Sequence, residues 1–379
     1  MPDLQKKKFP RPAGRPKMIF RHDVLEAYPG NLLNDVPGVN FYGARVLAMS
    51  YPKDVVQMHP DLSDQKLLNK IIEHYDRVGL DVTSRFVFDE SWEVAKDFPD
   101  HELNAFHFGT AANAVAPDEK FAQIADELNN KNRFIEFCHS NDTACPITVL
   151  FNSKEDFSTK NLPEYPVYVK GAVSASGMHV IRCEDENQLH LAVEKMPGEF
   201  QVQESLSADT KFCNIQYSVV AGHLRHEHLT LQKLSGNEHN GNIFPSGVDP
   251  DLIQPATDKL ARILFEKGIK GTFAFDVAVS GGKSYLIEMN PRWNGASYYS
   301  GPAERLCAEE WEGQYVYPKH IDFDILFDDP IDWEYNHESG LGIVVINWGS
   351  ILVKKLGLLV VGSASQRKFL LDLFQERFC

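Results

Sequence analysis

Residues 271–295 read GTFAFDVAVSGGKSYLIEMNPRWNG, and the alternation inside this stretch decides the fold. In its first half Phe273, Phe275, Val277 and Val279 fall on one face of a strand. Thr272, Ala274, Asp276 and Ala278 fall on the other, because successive strand side chains point to opposite sides. In the second half Tyr285, Ile287 and Met289 share a face, with Glu288 and Asn290 opposite. SerGlyGlyLys at 280–283 is a turn signal, so the two runs read as a hairpin. A three-residue loop, Gly281 to Lys283, pairs Ser280 with Ser284 and Asp276 with Glu288, their Cβ atoms ~5 Å apart. A two-residue loop puts Ile287 opposite Asp276 and large apolar residues beside acids, so the hydrophobic pattern favours the three-residue loop.

Two carboxylates and an amide oxygen held this closely repel one another unless a cation joins them. Such oxygen ligands suit Mg²⁺, or Mn²⁺ in its place, and Mg²⁺ commonly also takes substrate phosphate oxygens. Arg292 stands just beyond, able to grip a phosphoryl or carboxylate group. The plainer alternative is a solvated hairpin face with surface acids.

Upstream, residues 167–180 read VYVKGAVSASGMHV. A strand ends in Lys170, and a small-residue loop from Gly171 to Gly177 leads into another strand. Small residues let backbone N–H groups approach phosphate oxygens. Lys170 adds a point charge, and Ser174 and Ser176 add hydroxyl donors. No GxGxxG and no GKS/T occurs, so neither a Rossmann fingerprint nor a Walker A loop is present. A plain hairpin explains this loop equally well.

Around these motifs the 379-residue chain is ordinary globular material, 43% hydrophobic and 24% charged. Its 53 acids against 38 bases give a net charge of −15, the wrong sign for a general nucleic-acid binder. Its six cysteines are scattered without a CxxC pair, which excludes a zinc ribbon or a disulfide scaffold. Cys213 and Cys307 have no nearby base and read as buried thiols. The apolar segment 341–361 is broken by Asn347, Trp348, Lys354 and Lys355 and reads as two buried strands rather than a membrane span. A soluble, reduced, cytoplasmic protein is the expectation.

Residues 1–39 read as an irregular basic arm, with regular structure starting near Gly43 and a strand at 45–49. Leu67, Leu68, Ile71, Ile72 and Tyr75 have helical spacing, and a strand follows at 85–88. This makes a small α/β domain over 40–117. Helices are expected from Asp118 and near 185–196, 255–267 and 366–377, with Gly268 as a C-cap. Strands are expected at 146–151, 341–347 and 358–361, and antiparallel sheet from 165 onward. His226 and His228 share a strand face while His223 does not, so a solvated strand is favoured over a zinc site. Trp293 lines a pocket or fills a core. Asp328, Asp329, Asp332 and Glu334 read as a solvated acidic loop.

Taken together, the motifs resemble the ATP-grasp superfamily. The order is Asn130-Lys131, then Lys170 to Gly177, then GlnValGlnGluSerLeu at 201–206, then Asp276, and finally Glu288-Met-Asn290-Pro-Arg292. The resemblance covers roughly residues 110–362 and implies an ATP-grasp fold of mixed α/β and α+β class, behind an N-terminal α/β (pre-ATP-grasp-like) domain. The small lobe would span 118–200, and the large lobe 201–379. It implies that Lys131 and Lys170 contact ATP phosphates and that the 171–177 loop, with Gly171, Ser174, Ser176 and Gly177, closes over them. Glu204 and Leu206 would flank the adenine. Asp209 is the candidate for the ribose, although Lys211 stands where many relatives carry glutamate. Asp276, Glu288 and Asn290 would hold Mg²⁺, and Arg292 would stabilise the transferred phosphoryl group.

Residues 230–247 also look like a segment of the pheganomycin-type peptide ligases and related amino-acid ligases, which would bring Gln232 near the site. ProArgTrpAsnGlyAlaSer at 291–297 departs from the Arg-Gly-Gly ending common there, pointing to a different acceptor side. The implied activity is ATP-dependent ligation of a small-molecule carboxylate to an amine through an acyl phosphate, in a protein that could form a homodimer. A phosphotransferase, a carboxylase or a non-catalytic nucleotide binder would use the same nucleotide site.

Overall fold

The computed structural model describes residues 15–25, 27, 36–174, 179–236, 238–319, 326–327 and 332–379. The chain divides into two compact units. One holds residues 1–117, 241–245 and 295–379; the other holds 118–240 and 246–294.

In the first unit, regular structure begins well before Gly43. Met18–Arg21 (β1) is a strand between Val55–Met58 (β2) and Glu102–Ala105 (β4), parallel to both, and Phe86–Phe88 (β3) flanks β2. The arm expected over 1–39 is therefore not irregular here. Four residues are too few for periodicity to register, and Ile19 and Phe20 are both fully buried, as in a central parallel strand covered on both faces. The strand expected at 45–49 is also corrected: Val39–Met49 is a 3₁₀ helix, and residues Val39 and Phe41 to Ala48 are buried. A short apolar run that is buried all round does not distinguish helix from strand.

The Gln65–Arg77 helix starts at the N-cap Asp64, whose carboxylate accepts from Leu67 N–H at 2.8 Å. On its inner face His74 and Arg77 grip Glu334, which thus is not part of a solvated acidic loop. Asp328 and Asp329 lie outside the described residues. Later in this unit, Trp311–Val316 (β14), Gly342–Asn347 (β15) and Leu356–Val361 (β16) form antiparallel sheet, with Gly241–Phe244 paired to β14. The expected C-terminal helix runs from Ala364 to Phe378 behind a Ser363/Gln366 capping box. Cys307 is exposed, not buried.

The second unit contains two sheets. Thr148–Phe151 (β5), Val167–Gly171 (β6), Val180–Cys183 (β7) and Phe200–Glu204 (β8) are ordered β5-β8-β6-β7, all antiparallel. Val167, Val169, Phe200 and Val202 pack with Leu189 and Val193 of the Glu186–Val193 helix. Lys170, Gln201 and Gln203 alternate with them onto the other face.

Lys211–Val220 (β9), His223–Ser235 (β10), Gly271–Ser280 (β12) and Lys283–Asn290 (β13) follow, in the order β13-β12-β9-β10. Cys213, Ile215, Phe273, Phe275, Val277, Leu286 and Met289 form the apolar face. Against it pack the Glu119–Leu128, Lys131–Ser140 and Gln254–Lys267 helices, the last capped by Gly268 in the left-handed region. The opposite face carries Asn214, Gln216, Asp276, Glu288 and Asn290.

The hairpin reaches its expected pairing by an unexpected route. Its loop has two residues, because Ser280 pairs with Lys283. A β-bulge then makes Ile287 the extra residue, so Leu286 faces Val277 and Glu288 faces Asp276. Leu286, not Ile287, joins Met289 in the core. The bulge satisfies the tight turn and the segregation of acids from apolar side chains together. A second bulge separates His226 from His228, which pair with Tyr217 and Gln216 and so do not share a face.

Candidate active site

Asp276 sits between two strands. It faces Glu288 on β13 and Asn214 on β9. Asn214 Nδ2 donates to Asp276 Oδ1 at 2.6 Å, and Asn290 Nδ2 reaches Asp276 Oδ2 at 3.4 Å. Gln232 of β10 also bonds Asp276. Desolvation, then the charge of Glu288, pushes the Asp276 carboxyl well above its ordinary value. Burial pushes Glu288 up as well, but Lys131, the hydrogen bond with Asp276 and Lys170 outweigh it and hold Glu288 at about 2. The two acids therefore ionise unequally, the behaviour of a close carboxylate pair.

Lys131 is the first residue of its helix. Asn130 caps that helix through Asn132 and Arg133 N–H groups, which holds Lys131 at the sheet. Its Nζ lies 2.9 Å from Glu288 Oε2 and 3.1 Å from Ser174 Oγ, and its backbone N–H donates to Ala172 O at 2.7 Å. One residue thus joins the helix, the start of the small-residue loop and the acid pair. Lys170 Nζ donates to Gln203 Oε1 at 2.6 Å. Burial lowers its pKa to about 8, with Glu288 opposing the shift and Lys131 adding to it.

Gly171 is tied to His179 O at 2.9 Å, and an added Cβ there would come within 3.2 Å of the His179 Cβ. Ser176 and Gly177 lie outside the described residues. Arg292 is buried and donates through Nη1 to Asn290 Oδ1 at 2.8 Å. Trp293, next along, is half-buried.

Elsewhere, the Glu204 carboxylate accepts from Ile147 N–H at 2.7 Å, at the start of the connection from β8 to β9. Leu206 is half-buried. Asp209 is exposed in a turn, where the Ser207 hydroxyl and its own backbone N–H hold its pKa down. No described contact joins Asp209 to the acid pair. Asp276, Glu288, Asn290, Arg292, Lys131, Ser174 and Gln232 are therefore linked by direct contacts. Lys170 is coupled to them through charge.

Three residues of this surface were not singled out from sequence: Asn214, Gln203 and Gln201. Gln201 is fully buried and pairs with Lys170 across β6 and β8, and neither end of its amide meets a partner. The available signal was polar residues at alternate positions, Gln201 and Gln203 against Phe200 and Val202, and Asn214 and Gln216 against Cys213 and Ile215.

This architecture is the ATP-grasp fold. No family profile matches the chain, and no curated protein matches it in sequence. Among solved structures it is similar to an N5-carboxyaminoimidazole ribonucleotide synthetase in complex with ADP, with a TM-score of 0.63 and 11% identity over 95% of this chain and 98% of that one. It is also similar to the N5-carboxyaminoimidazole synthetase of Staphylococcus aureus complexed with ADP (TM-score 0.60, 14% identity, 97% of each chain). A third is the L-amino acid ligase of Bacillus licheniformis, with a TM-score of 0.58 and 13% identity over 95% of this chain and 97% of that one.

Proposed function

We propose that this protein is an ATP-dependent ligase that joins a small-molecule carboxylate to an amine through an acyl phosphate. The observation that carries the reading is the facing pair Asp276 and Glu288, with Lys131 on Glu288 and Asn290 and Arg292 directly behind. ADP-bound structures of the same fold add support.

The donor set fits a hard divalent cation. It is all oxygen, and burial followed by the facing charge of Glu288 pushes the Asp276 carboxyl well above its ordinary value. Asp276, Glu288 and Asn290 would hold Mg²⁺, which when bound supplies charge neutralisation for the phosphate chain.

The rest of the chemistry falls to the chain itself. Lys131 and Lys170 attract the phosphates, and the loop from Gly171 excludes water from the acyl phosphate. Glu204 and Leu206 flank the base, Asp209 takes the ribose, and Gln232 holds Asp276 in place. The carboxylate oxygen attacks the γ-phosphorus, the bond to the β-phosphate oxygen breaks, and ADP leaves. Arg292 stabilises the negative charge on the transferred group. The amine nitrogen then attacks the acyl carbon, inorganic phosphate departs and the amine proton passes to solvent.

A second reading keeps this site and changes the carboxylate. Two of the three structures above are named for a carboxyamino product, and in this chain bicarbonate would then replace an organic acid. Hydroxylamine separates the readings. With the right organic carboxylate and ATP, the ligase yields a stable hydroxamate and one ADP per product. ATP binding without ADP release across amino acids, other carboxylates and bicarbonate would refute both.

A further inference from the structure

Among the described residues, the first unit contains a buried cation that meets no anion. Arg45, in the Val39–Met49 helix, is only 6% exposed. Its guanidinium lies over the Tyr298 ring at 3.9 Å and near Tyr42 and Phe106, each at 5.2 Å from the ring centroid. Its Nε meets no acceptor, and no described carboxylate lies within ion-pair distance.

A second cation joins it. Lys355 Nζ donates to Tyr42 Oη at 2.8 Å and lies over the Tyr315 ring at 4.2 Å. Tyr42 and Tyr315 are stacked, with centroids 6.3 Å apart. Lys355 and Tyr315 are half-buried and Tyr317 is exposed, so the cluster reaches solvent on that side.

The described side chains around it do not neutralise this charge. Burial pushes Tyr42 up to about 12 and raises Tyr299 and Tyr315, so their hydroxyls stay protonated. His22 is pushed down to about 3 by burial and is neutral. It is held by Asn104 Oδ1 on Nε2 and by the Tyr298 hydroxyl on Nδ1, each at 2.7 Å, which fixes the Tyr298 ring beneath Arg45. In a chain of net charge −15, two cations gathered with no acid among the described residues are costly unless an anion arrives. Aromatic faces, and the hydrogen bond between Arg45 and Tyr298, repay part of that cost but leave Arg45 Nε unanswered.

We propose that Arg45 and Lys355, with the Tyr42 and Tyr315 hydroxyls, form a binding site for the oxyanion of a small molecule, a carboxylate or a phosphate monoester. On the ligase reading this anion anchors one of the substrates; the binding itself does not depend on that reading. The fork of Arg45 matches two oxygens of such a group, and the tyrosine hydroxyls supply further donors.

The test uses the full chain without nucleotide. Melting temperature and calorimetric binding are measured with inorganic phosphate and, separately, with succinate, at constant ionic strength. At least one of them raises the melting temperature of the unsubstituted protein, because a ligand that binds only the folded state stabilises it. Phosphate alone identifies a phosphate ester, succinate alone a carboxylate. Arg45→Met abolishes the shift and weakens binding about tenfold or more, while ADP affinity changes less than about twofold. Lys355→Met, which removes the less buried cation, weakens the same anion and decides the matter if Arg45→Met does not fold. No shift with either anion, or a shift that survives both substitutions, overturns the proposal. Loss of ADP binding with the anion response intact would instead overturn the ligase reading alone.

Discussion

Lys131 Nζ lies 2.9 Å from Glu288 Oε2, so a helix N-terminus and a strand end far apart in sequence meet at one ion pair. The lysine also touches Ser174, and Glu288 faces Asp276. Each of these contacts has a consequence that can be measured.

Glu288→Gln removes one of the two charges that face each other while keeping the shape. ATP turnover falls about 100-fold or more, the scale seen when one preorganised electrostatic group is lost. The melting temperature without metal falls, because Lys131 loses the carboxylate it pairs with at 2.9 Å and stays buried without an anion. Carboxylate-dependent ADP release and a thermal melt on the same preparation check both halves; unchanged turnover would sink the assignment.

Lys170 titrates at about 8, below its ordinary 10.5, because burial disfavours its charged form. It is protonated below that point and neutral above it, so ADP affinity falls as pH rises through about 8. The sign for stability is opposite. The folded state binds fewer protons than the unfolded state between about 8 and 10.5, so the metal-free protein gains stability across that window. In Lys170→Met both dependences flatten, which ADP titrations and melts over a pH series detect.

Asn214→Asp places a third carboxylate where an amide now donates to Asp276 at 2.6 Å. The metal-free protein loses about 1–2 kcal/mol, from the lost donor and the added repulsion. Added Mg²⁺ or Mn²⁺ returns part of it. Chemical denaturation with and without the cation measures the difference, and a loss indifferent to cations would argue against a metal site on this face.

Glu334→Ala tests the other unit. Val345 N–H donates to His74 Nε2 at 3.0 Å, so Nδ1 carries the proton that meets Glu334 at 2.5 Å. Arg77 Nε and Nη2 both reach the same carboxylate at 2.8 Å. Removing it leaves that buried N–H unanswered and costs about 3 kcal/mol, read from denaturant midpoints. ADP binding is unchanged.

Acid weakens the same group. Burial lowers the His74 pKa, so as pH falls below 6.5 the unfolded state takes up a proton that the folded state does not, and stability is lost. Burial would raise Glu334, but its bonds to His74 and Arg77 outweigh that and lower it, so its contribution is lost as pH falls below 4.5.

Much of this molecule is determined locally. The alternation from Phe273 to Asn290 separates acids from core without reference to any other segment, and the spacing of Leu67 to Tyr75 specifies a helix in the same way. Asp118, Gly268 and the two strands within 341–361 also follow from their own neighbourhoods. Side-chain direction in a strand or helix depends only on backbone period, which is why these features were legible.

Tertiary structure decided what lies opposite what. Whether Met18–Arg21 is a strand depends on β2 and β4 flanking it, and whether 45–49 coils depends on what surrounds it. The two-residue turn and the bulge at Ile287 compensate each other, so the pairing of Asp276 with Glu288 was right while its expected loop was not. Asn214 beside Asp276, Glu334 beneath His74 and the tyrosines around Arg45 are meetings of distant segments. No local period encodes them, because they arise only when separate faces are buried against one another.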